Sequence, residues 1–152
     1  MNLASPLPKG IILPPPPVPI GNYLPYRRIG SLLFLSGQGT RDASGTLFTG
    51  RVGDDVDVAT AYRHARFAGL NLLAVALSAL GDLGRVEFVV KLLGMVNAVP
   101  SFTDHPRVIN GCSDLFAEVF GDSGRHARSA IGVGSLPGGM TVEVEAILAV
   151  RD

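Results

Sequence analysis

"ARSAIGVGSLPGGMTVEVEAILAV", residues 127–150, sets a lone arginine among very small residues and follows it with two glutamates in strict alternation. Two β-like alternations flank the turn-forming Pro137-Gly138-Gly139, which predicts strands around Ala127 to Val133 and Thr141 to Val150. In the second strand Val142, Val144 and Ala146 face one way, and Glu143 and Glu145 the other. In the first, Arg128, Ala130, Gly132 and Gly134 share a face on which side chains are nearly absent, leaving room beside the arginine. A guanidinium keeps its charge at any working pH, so enclosing one calls for an anion. Its planar fork suits a carboxylate held by two bonds. Two readings stand: an ion pair with an otherwise exposed polar face, or a seat for a ligand carboxylate.

The spacing sets a further condition. In a simple hairpin centred near Gly138, Glu143 would face a residue near Gly134. Arg128 would then lie about 20 Å further along, at ~3.3 Å per residue. A site that uses both needs another strand order or a second subunit.

Upstream, the pattern alternates between strand and helix. "YRRIGSLLFLSGQGTRDASGTLFTG" predicts β-structure at Leu32 to Leu35 and again at Thr46 to Phe48, separated by Gly, Asp and Ser turn signals. From Asp57 to about Leu80 the apolar period becomes helical, with Ala61, Ala65, Ala68, Leu72, Val75 and Ala79 on one stripe. Asp57 reads as its N-cap and Gly81 as its stop, and its many alanines predict close packing on a sheet. "RVEFVVKLLGMVNAV" (85–99) reads as a long buried strand. "DHPRVINGCSDLFAEVFGD" reads as a second helix, with Pro106 in the first turn, Gly121 at the end, and Val108, Cys112, Leu115 and Val119 inward. The expected order is β-β-β-α-β-α-β-β.

Composition bounds the function. A chain of 152 residues suits one domain with a real core. Its 47% hydrophobic and 17% charged residues make it more apolar than a typical soluble domain, where about 25% are charged, so apolar surface is expected to be left for a partner subunit. Thirteen basic and thirteen acidic residues cancel, which leaves no electrostatic footprint for nucleic acid. Cys112 is the one cysteine, so no disulfide forms within the chain and a reducing compartment fits. The start lacks a basic n-region and an unbroken apolar h-region, and no run is long and apolar enough to span a membrane. These features predict a cytoplasmic protein. Seven of the 11 prolines fall within residues 1–19, which predicts a stiff N-terminal arm, with the domain proper over 20–152.

Few residues offer chemistry. His64, His105 and His126 are scattered and Cys112 has no companion, so no metal site is expected. Cys112 on an apolar helix face reads as a buried structural thiol. "GRVGDD" and "SGQGTRDASG" lack the context and lysine of a phosphate loop, and "LSGQG" at Ser36 is no nucleophile elbow. Arg125 and His126 read as loop or rim residues with a small part.

"ARSAIGVGSLPGGMTVEVEAI" resembles the C-terminal signature of the RidA (YjgF) family of enamine/imine deaminases, and "IGNYLPYRRIGSLLFLSGQ" that family's N-terminal block. The resemblance covers roughly residues 20–151. It implies an α+β, chorismate-mutase-like fold: a mixed sheet with two helices on one face, assembled as a homotrimer with clefts between subunits. It implies a 2-iminobutanoate/2-iminopropanoate deaminase-like hydrolase that converts 2-imino and 2-enamino acids to 2-oxo acids and ammonia, without cofactor or metal. Carried over by motif, Arg128 would bind the substrate carboxylate and Glu143 would position water. Tyr23, Ser36 and Asn110 would line the site, with backbone contacts at Gly37 and at Ala130, which stands where a Cys is often seen. Alternation leaves open whether Glu143 or Glu145 holds the water. A small carboxylate metabolite is the expected partner, with neither nucleic acid nor membrane. The alternative is a trimer that binds small 2-oxo acids without turnover. A ribonuclease or chaperone-like role ranks third, since no basic patch with interleaved aromatics supports it. The Pro-rich arm, "LLGMVNAVPSFTDHPRV" and "SGRHARSA" mark a longer subgroup.

Overall fold

Asp57 begins the longest helix as its residue type predicts. Its backbone is extended and its carboxylate accepts the Thr60 N–H at 2.7 Å, while Gly81 ends the helix in the left-handed region at φ 76°. The structure, a computed structural model, describes residues 7–152; residues 1–6, the first part of the expected arm, lie outside the described residues. The elements are β1 (Tyr26–Ile29), β2 (Leu32–Gly39), α1 (Val58–Leu80), β3 (Val86–Asn97), α2 (His105–Phe120), β4 (Ala127–Val133) and β5 (Val142–Val150). The fold is α+β, one five-stranded mixed sheet in the order β1-β2-β5-β3-β4 with two helices against it.

One expectation needs correction, and one open condition is answered. Residues 46–48 form no strand of the sheet; Leu47 and Thr49 make only isolated bridges to Arg41 and Met140. Their backbone is committed locally instead: the Asp42 carboxylate accepts the Ser44 and Thr46 N–H groups and the Ser44 hydroxyl, closing a tight turn. The observed order is thus β-β-α-β-α-β-β. Nor do the last two strands form a hairpin, because β3 lies between them, parallel to β4 and antiparallel to β5. A parallel neighbour needs a crossover, and α2 supplies it between β3 and β4.

Register assigns each strand residue to a face. Leu33 and Leu35 of β2, Leu92 and Val96 of β3, and Val142, Val144, Ala146 and Leu148 of β5 are buried beneath the helices. Ala61, Ala65, Ala68, Leu72 and Val75 of α1 and Val108, Ile109, Cys112, Leu115 and Phe116 of α2 meet them. The helices cross so closely that a Cβ on Gly111 would strike the Tyr62 carbonyl, so only glycine fits there. Burial pushes the Cys112 thiol up to about 12, an inert thiol. Among the described residues no helix covers the opposite face of the sheet. Phe34, Leu93 and Ile131 stand there beside Lys91, Ser129 and Glu145.

Candidate functional site

On that uncovered side, β2 departs from regular pairing with β5. Its register shifts between Leu35 and Gln38, so Ser36 and Gly37 form a bulge while Gln38 resumes pairing with Val144. The bulge lays the Gly37 backbone against Glu143, whose carboxylate occupies the space a Cβ would take. Burial, then the neighbouring charge of Glu145, raises the Glu143 carboxyl above its ordinary value. Ser36 is fixed as well: its hydroxyl donates to the Leu24 carbonyl at 2.6 Å. With its proton engaged, Ser36 offers lone pairs to a ligand N–H or to water. Tyr23 accepts the Ile20 N–H at 3.4 Å and keeps its own proton free to donate.

Tyr23, Ser36, Gly37, Glu143 and Glu145 line one cleft of about 520 Å³. Pro17, Val18 and Ile20 form part of its wall, with Arg41, Asn71 and Met140 also present. Asn71 is a contributor that periodicity concealed. It is a lone amide in the leucine-rich stretch of α1, and it donates to the Gly39 and Arg41 carbonyls at 3.1 and 2.9 Å, fixing the chain as it leaves β2.

Arg128 lies elsewhere. It pairs with Leu92, whereas Glu143 pairs with Met95 on the other edge of β3. The two are therefore offset by about 10 Å along the sheet and separated by two strand spacings, about 10 Å across. They also face opposite sides, since Leu92 points beneath the helices and Met95 away from them. The guanidinium donates to Ser113 Oγ at 2.9 Å and to the Pro106 carbonyl at 3.0 Å. No carboxylate lies within ion-pair distance of it among the described residues, which removes the structural salt-bridge reading.

Two further expectations change here. The small residues of β4 make room for α2 rather than for a ligand. A Cβ on Gly132 would come within 2.5 Å of His105 Nε2, and Ala130 packs against the core. Only Gly134 borders open space. His126 is more than a rim residue. Its Nδ1 meets the Gly124 carbonyl at 2.6 Å, so that nitrogen carries the proton and Nε2 accepts from Ser113 Oγ at 2.8 Å. Ser113 thus joins His126 to Arg128, and burial followed by the Arg128 charge lowers the His126 pKa. Asn110, Ser113, Asp114, His126 and Arg128 line a shallow polar basin. Within one chain, then, the expected residues divide into Tyr23, Ser36, Gly37 and Glu143 in the cleft, Arg128 and Asn110 at the basin, and Ala130 against the core.

The three histidines are also held apart, His64 on the Thr141 hydroxyl, His105 beside Gly132 and Phe102, and His126 on Ser113. Among the described residues no three His, Cys, Asp or Glu side chains come together as metal ligands, and no helix is long and apolar enough to cross a membrane.

A mixed sheet in this order, with both helices on one face and a glutamate cleft on the other, defines the chorismate-mutase-like class of α+β folds. The chain belongs to the YjgF (RidA) family: the family described as "YjgF/chorismate_mutase-like, putative endoribonuclease" matches residues 6–142. It is similar to Protein TCP17 of Trypanosoma cruzi, 43% identical over 94% of this chain and 90% of that one. It also resembles the crystal structure of Atu1372 from Agrobacterium tumefaciens at 45% identity and a TM-score of 0.86, covering 93% of this chain and 86% of the other. A 2-iminobutanoate/2-iminopropanoate deaminase from Dermatophagoides farinae is 28% identical over 95% of this chain and 98% of its own. The family thus includes a protein named as an imine deaminase.

Proposed function

We propose that this chain hydrolyses 2-imino and 2-enamino acids to 2-oxo acids and ammonia, in clefts between the subunits of a homotrimer. Arg128 of one copy binds the substrate carboxylate, and Glu143 of the next positions the water. The observation that carries this reading is the half-buried Glu143 carboxylate, pressed on the Gly37 bulge in a cleft with Tyr23 and Ser36. The deaminase relative supports the reaction class. The opposed placement of Arg128 and Glu143 within one chain supports a site completed by a second copy. The uncovered apolar sheet face offers a surface for that copy.

The chemistry asks little of the protein. A protonated imine conjugated to a carboxylate is already electrophilic at C2. Water oxygen adds to C2 as Glu143 takes one water proton, giving a carbinolamine. Glu143 returns that proton to the amine, then takes the hydroxyl proton as the C2–N bond breaks and the C2–O bond becomes a carbonyl, and passes it to the departing ammonia. The protonated imine and water become 2-oxo acid and ammonium, with no oxidant or reductant. A carboxyl raised toward neutrality suits both transfers, and Arg128 aligns the substrate. Ser36, able only to accept, faces an N–H of the imine or the water.

A ribonuclease reading finds less support. The net charge is zero, and Glu143 and Glu145 in the cleft would repel a phosphodiester. A cytoplasmic setting fits the single, buried Cys112.

The deciding measurement is ammonia and 2-oxo acid release from 2-iminobutanoate generated in situ by a threonine dehydratase. Rates no faster than buffer across a panel of imino acids sink the deaminase reading. Retained binding of 2-oxobutanoate without turnover would instead identify a non-catalytic binder.

A further inference from the structure

We propose that the proline-rich segment 14–20 is a specificity wall of the cleft, against which Val18 and Ile20 hold the apolar side chain of a 2-imino acid. The inference rests on the deaminase reading of the same cleft.

Four observations converge on it. Leu7, Ile11 and Leu13 pack against the hydrophobic core, so the chain is anchored before it reaches the cleft. Pro14 to Pro17 follow, each with φ locked near −65° by its ring, and such a run is a stiff strut rather than a tether. Pro17, Val18 and Ile20 then line the same cleft as Tyr23, Ser36, Gly37 and Glu143. Beyond them the segment is hooked to the site itself: the Ile20 N–H donates to Tyr23 Oη, and the Tyr23 N–H to the Gly21 carbonyl at 3.0 Å. A segment fixed at both ends presents its side chains with little ordering cost when a ligand arrives.

Val18 and Ile20 are both 83% exposed, so they contribute almost nothing to the core. A β-branched aliphatic pair held rigidly at the rim of a polar catalytic cluster gains only when something apolar covers it. The cleft, at about 520 Å³, is larger than a three- or four-carbon imino acid fills. Arg41, the cation in the same cleft, donates to the Gly45 carbonyl of its own turn and is thereby drawn away from a substrate side chain. Ile12, 80% exposed on the same segment but not part of the cleft lining, is a built-in control.

The test compares Val18→Ser/Ile20→Ser with Ile12→Ser and wild type, all as full chains. Imino acids are generated in situ from leucine and from alanine by an amino-acid oxidase with catalase. Wild type is expected to favour the leucine-derived substrate in kcat/KM. The double variant should lose about tenfold on it, equivalent to about 1.4 kcal/mol, and under about twofold on the alanine-derived one. Ile12→Ser should change neither. Equal losses on both substrates, no loss on either, or a change in oligomeric mass of the double variant would overturn the wall. If wild type turns over neither substrate, the deaminase reading has failed. The wall is then read by calorimetry, as the ratio of Kd for 4-methyl-2-oxopentanoate to that for pyruvate. A ratio unmoved by the double substitution overturns it.

Discussion

The two faces of the sheet solve different problems with the same alternating pattern. On the helix face, β4 offers Arg128, Ala130 and Gly132 to α2, and close packing settles each one: Ser113 and the Pro106 carbonyl take the guanidinium, and His105 fills the space above Gly132. On the other face, β5 offers Glu143 to a bulge and a cleft, with a carboxyl already raised above its usual range. One region is packed within the chain but, among the described residues, leaves the Arg128 charge without an anion, while the other waits for something to cover it. A charge on a strand is therefore no guide to openness until the face it occupies is known.

Complementation between variants separates the two regions by the largest margin. Glu143→Gln is expected to lower turnover by roughly 10²- to 10⁴-fold, and Arg128→Ala by at least as much, each in a folded protein by circular dichroism. Mixing the two inactive variants after unfolding and refolding should restore activity well above either parent, because one cleft of a mixed trimer keeps both wild-type residues. Absence of recovery would place both residues' roles within one copy, or remove one of them from the site.

Two glycines sharpen the contrast at the next level. Gly37→Ala drives a Cβ into the Glu143 carboxylate, and Gly132→Ala drives one into His105. Overpacking costs about 1–3 kcal/mol at either place. The first should cut activity far more than thermal stability; the second should do the reverse. Equal effects on both readouts would mean that the two faces are not functionally distinct.

Ser113→Ala removes the hydroxyl shared by Arg128 and His126, leaving two partly buried groups short of a partner at about 1–3 kcal/mol in all. With substrate, its loss should raise KM more than it lowers kcat, since Arg128 is left less well aimed. The same network predicts a pH slope. His126 is depressed from its ordinary 6.5 mainly by burial, and His64 likewise. The unfolded chain then binds more protons, so their contribution is complete above about pH 6.5 and is lost as pH falls through the depressed folded values. Denaturant midpoints at pH 7.5 and 5.5 should differ accordingly, and His126→Gln should shrink the difference.

The smallest effect has the opposite sign. Because the folded chain raises the Glu143 carboxyl, its contribution to stability is present below the usual glutamate value and lost as pH rises through the folded one. Glu143→Gln should therefore stabilise the inactive protein at neutral pH, by under about 1 kcal/mol given its partial solvent screening. A fall in Tm would mean that Glu143 is a structural group.

What could be read in advance was local. Asp57, Gly81, Pro106 and Gly121 bound their helices because capping is a property of a few adjacent residues. The parity of Glu143 and Val144 on β5 follows from alternation alone. Three things were out of reach of periodicity. The insertion of β3 between β4 and β5 depends on pairings among residues far apart in the chain. The Ser36–Gly37 bulge shifts register by a step that no alternation records. The Ser113 hydroxyl reaches His126 only after α2 has been laid along β4. Gly132 follows the same rule: a small residue signals close approach without saying by what, and the neighbour is His105.

The sheet order has one more outcome, in the timing of synthesis. β5 is the last described element to leave a ribosome, yet it sits in the middle, with Leu32–Leu35 on one side and Val86–Val96 on the other. Until it emerges, the β1–β2–α1 half and the β3–α2–β4 half share no strand, and each exposes an unpaired inner edge. The nascent chain must keep both edges from straying for as long as translation lasts. The strand that carries Glu143 is also the one that joins the two halves of the sheet, so the carboxylate proposed to position water takes its place only once both halves have met it.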